Sequence, residues 1–231
     1  MEYSKFPRTP HLPWSPGFSG DDIRLADVTN FNWKRLIITE KLDGENITVY
    51  SDGHIHARSV DGGNHSSRNY LKNLMPSKLV RSFPNIGNCR TLYNGWRICG
   101  EYLYAIHSIE YEKLSDYFFV FSVIDDAGVV QEWDMVKNVA DYMGLPTVPV
   151  IAEMECGSNW VSVLKKQTDK IMTSSRFGST IEGYVIRNAD SFPYSEYGKN
   201  VAKYVREGHV AENAEHWSKK WRKATLYKEL S

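Results

Sequence analysis

No surplus of charge marks this sequence: 28 Lys and Arg balance 28 Asp and Glu. The whole molecule therefore projects no bulk field toward a polyanion, and a nucleic-acid site would have to be a local patch. Cysteine is scarce. Cys89, Cys99 and Cys156 are odd in number and lack CxxC spacing, which argues against a disulfide framework or a cysteine zinc site and fits a reducing cytoplasm. No run of about 18 apolar residues occurs, and MEYSKFPRTPHLPWSPG lacks the apolar stretch of a signal peptide, so a soluble, cytoplasmic protein without membrane contact is expected. His54, His56, His65 and His107 do not form an HExxH pattern, and no GxxxxGK[ST] phosphate loop is present. Internal repeats, low-complexity segments and any linker long enough to mark a second full domain are missing too.

What remains is a chain of 231 residues, 42% hydrophobic, enough for one large domain. Aromatic residues make up 13%, which suits stacking surfaces and an ordinary core equally. Residues 1–20 hold four of the nine prolines and read as an irregular arm packed across the body. RLIITEK, Asp43-Gly44, NITVY, Asp52-Gly53 and HIHARS alternate strand with turn and predict a three-strand meander over 35–59. SSRNYLKNLMPSKLVRSF has helical spacing that Pro76 should divide or kink. WRICGEYLY and DYFFVFSVID predict strands, the second apolar enough to be central in a sheet. Helices follow at EWDMVKNVADYM, closed by Gly144, and within NWVSVLKKQTDKIMTSS; IEGYVIRN and NVAKYVRE complete the strands. The tail AENAEHWSKKWRKATLYKEL, with Trp217, Trp221 and Leu226 at near-helical intervals, predicts a docked helix.

Lys41, in ITEKLDGENITVY, is the residue with chemical promise. A lysine amine attacks phosphorus only when neutral, whereas a free lysine with a pKa of about 10.4 is charged at neutral pH. Glu40 and Asp43 alone push it the wrong way; nearby cations, or a metal on a phosphate, push it down. Arg58, Lys203 and Arg206 on predicted strands could supply that charge. Glu101 in CGEYLY and Glu182 in IEGYVIR stand in apolar strand contexts where an unpaired charge is costly, so each needs a partner, such as a metal or a ribose. Each piece alone has a plainer explanation. Asp-Gly is the common hairpin signal, a lone glutamate marks the polar face of an edge strand, and VAKYVR is alternating exposed charge.

Order changes the balance. TEKLDGEN, Arg58-Ser59, CGEYLYA, YFFVFSVID, EGYVIR and AKYVR follow one another, and together they resemble the covalent nucleotidyltransferases: ATP-dependent DNA and RNA ligases and mRNA capping enzymes. Within these the likeness is to RNA ligases of the nick-sealing, phage and bacterial kind. The resemblance implies an α+β nucleotidyltransferase domain, ATP-grasp-like, with central antiparallel sheets flanked by helices over residues 35–210. A Pro-rich arm and lead-in (1–34) would precede it and a helical tail (211–231) would follow. It implies that Lys41 attacks the α-phosphate of ATP and forms a lysyl-adenylate. Glu40 would accept a hydrogen bond from the adenine amine, Phe121 would stack on the base, and Arg58 and Glu101 would contact the ribose, Arg58 also the phosphate. Glu182 would bind Mg2+ or Mn2+ through water, and Lys203 would hold the α-phosphate.

The sequence departs from that pattern in two places. Related fifth motifs often carry two lysines one residue apart, whereas Val201 and Val205 flank Lys203 here, so Arg206 and Lys199 stand as substitutes. After that motif only about twenty residues remain, room for a helix but not for an OB barrel. Lys219, Lys220, Arg222 and Lys223, interleaved with Trp217 and Trp221, form a basic cluster that suits RNA phosphates or a solvated helix face equally. The expected function is ATP-dependent ligation of an RNA 5′-phosphate to a 3′-hydroxyl, with a repair-protein partner as a further expectation. The alternatives are a GTP-using capping enzyme, a DNA ligase, or a non-catalytic RNA-binding relic.

Overall fold

The computed structural model describes residues 2–17, 20, 22–60, 65–83, 87–157, 159–209 and 221–227. In chain order the elements are β1 (Arg35–Lys41), β2 (Glu45–Tyr50), β3 (Ile55–Ala57), α1 (Asn69–Leu79), β4 (Val80–Phe83), β5 (Gly87–Arg90), β6 (Arg97–Tyr102) and β7 (Phe118–Ile124). They continue with β8 (Val129–Val130), α2 (Trp133–Met143), β9 (Val150–Glu155), α3 (Trp160–Ile171), β10 (Gly183–Asn188), β11 (Phe192–Pro193), α4 (Tyr197–Asn200) and β12 (Val201–Val205). Two antiparallel sheets dominate. One runs β12-β10-β1-β9, the other β11-β8-β7-β6-β2-β3, and β4 and β5 form a separate hairpin.

The expected meander over 35–59 is corrected here. Only β2 and β3 pair; β1 leaves for the other sheet, between β10 and β9. Asp43-Gly44 is therefore a crossing between sheets, where the backbone passes so close to β6 that a Cβ on Gly44 would lie 2.6 Å from the Tyr102 carbonyl oxygen. Gly183 is required for the same reason, since its Cβ would sit 1.9 Å from the Tyr204 carbonyl oxygen of β12. Both glycines flank the carboxylates of interest and let three backbones converge on Lys41.

Alternation along β1 separates two layers. Leu36 and Ile38 join a cluster with Trp160 and Leu164 of α3 and with Leu12 and Phe31 of the N-terminal segment, while Ile37 faces the larger core on the opposite side. That larger core sets Leu71, Met75 and Leu79 of α1 and Trp133, Val136, Ala140 and Met143 of α2 against β2, β6 and β7. β7 is interior to its sheet and buried on both faces, as its composition predicts. α1 continues through Pro76 instead of dividing there, and α2 ends at left-handed Gly144 as expected.

The Pro-rich arm pairs with the sheet edge. Leu12 N donates to the Lys203 carbonyl (2.8 Å), Lys203 N to Pro10 O (2.8 Å) and Gly17 N to Val205 O (3.0 Å). In the tail, residues 210–220 and 228–231 lie outside the described residues, and Lys219 and Lys220 with them. Residues 221–226 form no helix: Ala224 and Leu226 are buried between exposed neighbours, and Ala224 N donates to Tyr104 O (2.8 Å). Burial of Ala224 and Leu226, two residues apart, follows the alternation of a strand and not the helical spacing expected there. No described helix is long and apolar enough to cross a membrane.

Candidate active site

A cavity of about 540 Å³ opens between the two sheets. Thr39 and Lys41 of β1, Val185 of β10 and Lys203 of β12 line one wall; Asn46 of β2, Glu101 of β6 and Phe121 of β7 line the other. Pairing of β1 with β10 places Lys41 opposite Gly183, next to Glu182. The Lys41 Nζ lies 2.6 Å from Glu182 Oε1. Glu101 Oε1 accepts from Gly44 N at 3.1 Å, so the crossing that follows Lys41 is tied to β6. Asp43 Oδ2 accepts from Ser108 N (2.8 Å), Ser108 Oγ (2.7 Å) and Ile109 N (2.7 Å).

The charges are tightly coupled. Burial alone would lower the Lys41 pKa, but the charges of Glu182 and Glu101 and the hydrogen bond that Lys41 donates to Glu182 together outweigh it, and the net direction is upward. Burial raises Glu182 and pushes Glu101 up to about 8, with Lys41 pulling against it in both. Burial also acts upward on Asp43, yet hydrogen bonds from His209 and Ser108 prevail and hold it well below the usual carboxylate range. Lys203 is lowered by burial and by the charge of Lys41. The resting state is an ammonium at Lys41 held by Glu182.

The other expected residues divide. Phe121 stands at the cavity with its ring edge-to-face to Phe6 (5.5 Å). Arg58 also lines the cavity, but from an exposed position just past β3 instead of on a strand. Arg206 likewise follows β12; its Nε donates to Ile181 O (2.8 Å) and its amide to Glu182 O (3.0 Å), so it braces the segment carrying Glu182. Lys199 pairs with Glu196 on the outside. Of the three basic candidates for the fifth motif, Lys203 is the one that lines the cavity. Glu40 borders the cavity, yet its carboxylate accepts from Ser175 Oγ (2.5 Å) and Arg176 N (2.9 Å). Arg222 and Lys223 are elsewhere, on Glu110 and over the Tyr104 and Tyr117 rings.

Three residues emerge that the sequence reading did not select. Asp22 holds Lys203 Nζ at 3.1 Å and lies 3.3 Å from His11 Nε2. Asp43, read there as part of a turn, joins Glu182 and His209 in a group whose donor atoms all lie within 4.8 Å of one another. Asp22 and His209 had no periodic or motif signal, because one belongs to an irregular arm and the other to a turn after the last strand. Glu182 Oε2 and His209 Nδ1 are buried without a hydrogen-bond partner among the described residues, and this donor set fits a divalent cation.

A lysine held by carboxylates in a cleft between two antiparallel sheets belongs to the nucleotidyltransferase fold. The family model for RNA ligases matches residues 34–205, and the chain belongs to that family. A lysine-to-alanine mutant of Naegleria gruberi RNA ligase with ATP and Mn is 19% identical, with a TM-score of 0.52 over 79% of this chain and 52% of that one. Naegleria gruberi RNA ligase with PPi is also 19% identical, with a TM-score of 0.52 over 92% of this chain and 63% of that one. An archaeal ATP-dependent RNA ligase is 16% identical, with a TM-score of 0.50 over 78% and 44%. The chain thus spans between 44% and 63% of the length of these ligases. No curated protein matches it.

Proposed function

We propose that this chain is an ATP-dependent RNA ligase. Lys41 takes AMP from ATP, the AMP passes to an RNA 5′-phosphate, and an adjacent 3′-hydroxyl displaces it to seal the strand. The observation that carries the reading is Lys41 itself: an amine at the wall of a nucleotide-sized cavity, 2.6 Å from a buried carboxylate and sharing the cavity with Lys203 and Arg58.

In the first transfer the Nζ lone pair forms a bond to the α-phosphorus while the bond from that phosphorus to the pyrophosphate oxygen breaks. The ammonium must first lose a proton, and Glu182 Oε1 is placed to receive it. Lys203 and Arg58 meet the negative charge that spreads over the phosphate oxygens. Phe121 offers its ring to the base, Glu101 accepts from a ribose hydroxyl, and Glu40 accepts the adenine amine on lone pairs left by Ser175 and Arg176. Asp43 and Glu182 would hold Mg2+ or Mn2+, which when bound supplies positive charge beside the phosphates and favours neutral Lys41.

The substrate is RNA with 5′-phosphate and 3′-hydroxyl ends. Cys99 and Cys156 are buried free thiols, which supports residence in a reducing cytoplasm.

The test is incubation with ATP labelled in its α-phosphate and a divalent ion, then a denaturing gel, beside Lys41→Ala. A band that survives denaturation in the wild type and vanishes in the variant is expected, and the variant should still seal a pre-adenylated RNA end. Labelling by GTP instead would favour a capping enzyme, and sealing of DNA nicks alone a DNA ligase. RNA binding with no covalent label under any nucleotide, in a preparation whose intact mass excludes prior adenylation, would mark a non-catalytic relic.

A further inference from the structure

The turn at 175–179, between α3 and β10, is built onto Glu40. Ser175 Oγ donates to Glu40 Oε1 at 2.5 Å, and the amide of the next residue, Arg176, donates to Oε2 at 2.9 Å. The direction of the hydroxyl is fixed, because Phe177 N donates to the same Oγ (3.0 Å) and the one Ser175 proton is left for the carboxylate. The turn closes on itself through Ser175 N to Ser179 O (2.7 Å) and Gly178 N to Ser175 O (3.2 Å), with Gly178 at a left-handed φ of 67°. Phe177 pins it to the larger core, its buried ring 5.0 Å from that of Phe119 on β7 and 6.0 Å from that of Tyr111. A turn held in this way does not follow the carboxylate; the carboxylate stays where the turn puts it.

Glu40 is 3% exposed and borders the cavity, whereas Ser175 does not line it. Burial raises the Glu40 pKa, and the hydrogen bonds from Ser175 and Arg176 pull against it. Donors on both oxygens also oppose protonation by geometry, since a proton on either oxygen would meet an O–H or N–H already aimed at it. The turn thus keeps an acceptor of fixed plane at the cavity wall. Of the roughly four lone-pair sites of a carboxylate, one on each oxygen is taken, and the rest remain for a ligand. Purines differ in the group that would meet them. Adenine carries an amine at its 6-position, a donor, and guanine a carbonyl oxygen, an acceptor.

We infer that Ser175 is a positioning residue that sets the choice of nucleotide: with the amide of Arg176 it holds Glu40 as a fixed acceptor, which takes a 6-amine and repels a 6-oxo group. The inference rests on the reading of Glu40 as the partner of the adenine amine, and it assigns the preference for ATP to a turn that lies behind the cavity wall. Without the hydroxyl, one carboxylate oxygen loses its donor, and Glu40 is free to turn or to take up a proton and donate to a 6-oxo group.

The experiment is equilibrium binding to the whole chain carrying Lys41→Ala, which cannot form the covalent adduct. The probes are ATP, inosine triphosphate with a 6-oxo group, and purine riboside triphosphate with no group at that position. With Ser175 in place the order should be ATP, then the purine nucleotide, then the inosine nucleotide, with ATP ahead of the last by roughly tenfold or more, the worth of a hydrogen bond to a charged group. Adding Ser175→Ala should weaken ATP by about tenfold, leave the inosine nucleotide no weaker, and bring the two near equality. An inosine nucleotide that binds as tightly as the purine nucleotide with Ser175 in place overturns the inference, and that result needs no Ser175 variant to fold. Ser175→Ala that weakens all three alike, or changes none, overturns it too, because the turn is then only a support. Failure of every nucleotide to bind does the same. The covalent step takes no part in these measurements, so wild-type labelling can fail while the preference stands, or stand while the preference fails.

Discussion

Glu101 is a carboxyl that the fold keeps protonated to higher pH than the unfolded chain does. Burial pushes its pKa up to about 8, Lys41 pulls it back, and the charges of Glu182 and Asp43 push it further. The ordinary glutamate value is about 4.3. Between these values the folded state binds more protons than the unfolded one, so stability falls as pH rises through that window. Below it both states are protonated and nothing is lost; above about 8 both are ionised and the loss is complete. Glu101→Gln cannot ionise. Thermal unfolding should therefore show the variant gaining on the wild type steadily from pH 5 to pH 8, while its labelling by ATP declines. Melting curves of the two proteins that stay parallel across that interval would refute the assignment. Lys41 shows the same coupling in reverse, since the carboxylates that raise it are the groups a bound cation would neutralise.

At the scale of elements, the arm before β1 is part of the site. Lys203 is held by Asp22 at 3.1 Å; Asp22 lies 3.3 Å from His11, whose Nδ1 is 2.8 Å from Ser15 Oγ, and the arm's backbone pairs with β12 on both sides of Lys203. Hydrogen bonds to charged groups contribute about 1.5–3 kcal/mol. Asp22→Ala should accordingly slow transfer of AMP to Lys41 roughly tenfold at saturating ATP, with little change in KM, because Lys203 loses its aim and keeps its charge. Single-turnover labelling measures this, and an unchanged rate would make the arm a mere cover. Such dependence was not legible in a Pro-rich stretch whose partners lie on strands far away in the sequence. Strand identity was legible wherever period and turn chemistry agreed, as in RLIITEK, the apolar β7 and the Gly144 end of α2. Strand pairing was not: Asp43-Gly44 has the local chemistry of a hairpin, and only the approach of Tyr102 shows that its glycine serves a crossing between sheets. Lys41, Glu101, Glu182 and Lys203 could be picked from the order of their motifs. Asp22 and His209 depend on how loops return in space, which no local pattern encodes.

The whole molecule is two sheets that meet around a cavity, with Phe121 and Glu101 on one and Lys41, Val185 and Lys203 on the other. A nucleotide seated there touches both, so its binding energy opposes separation of the sheets and is felt by the entire fold. A ligand at a hundred times its Kd stabilises the folded state by about 2.7 kcal/mol. For a chain of this size each kcal/mol moves the midpoint by roughly 2–4 °C, so saturating ATP should raise Tm by roughly 5–10 °C. Lys41→Ala is the protein to use, because it binds without forming the covalent adduct and its single truncation leaves Lys203, Arg58 and Phe121 on the cavity wall. A shift with ATP and none with GTP would place base selection in the cleft. Equal shifts would assign the binding energy to the phosphates alone and move the choice of nucleotide to the chemical step. If neither nucleotide shifts Tm while Mn2+ does, the cavity between the sheets is not the nucleotide site, and the cluster beneath Lys41 acts apart from it.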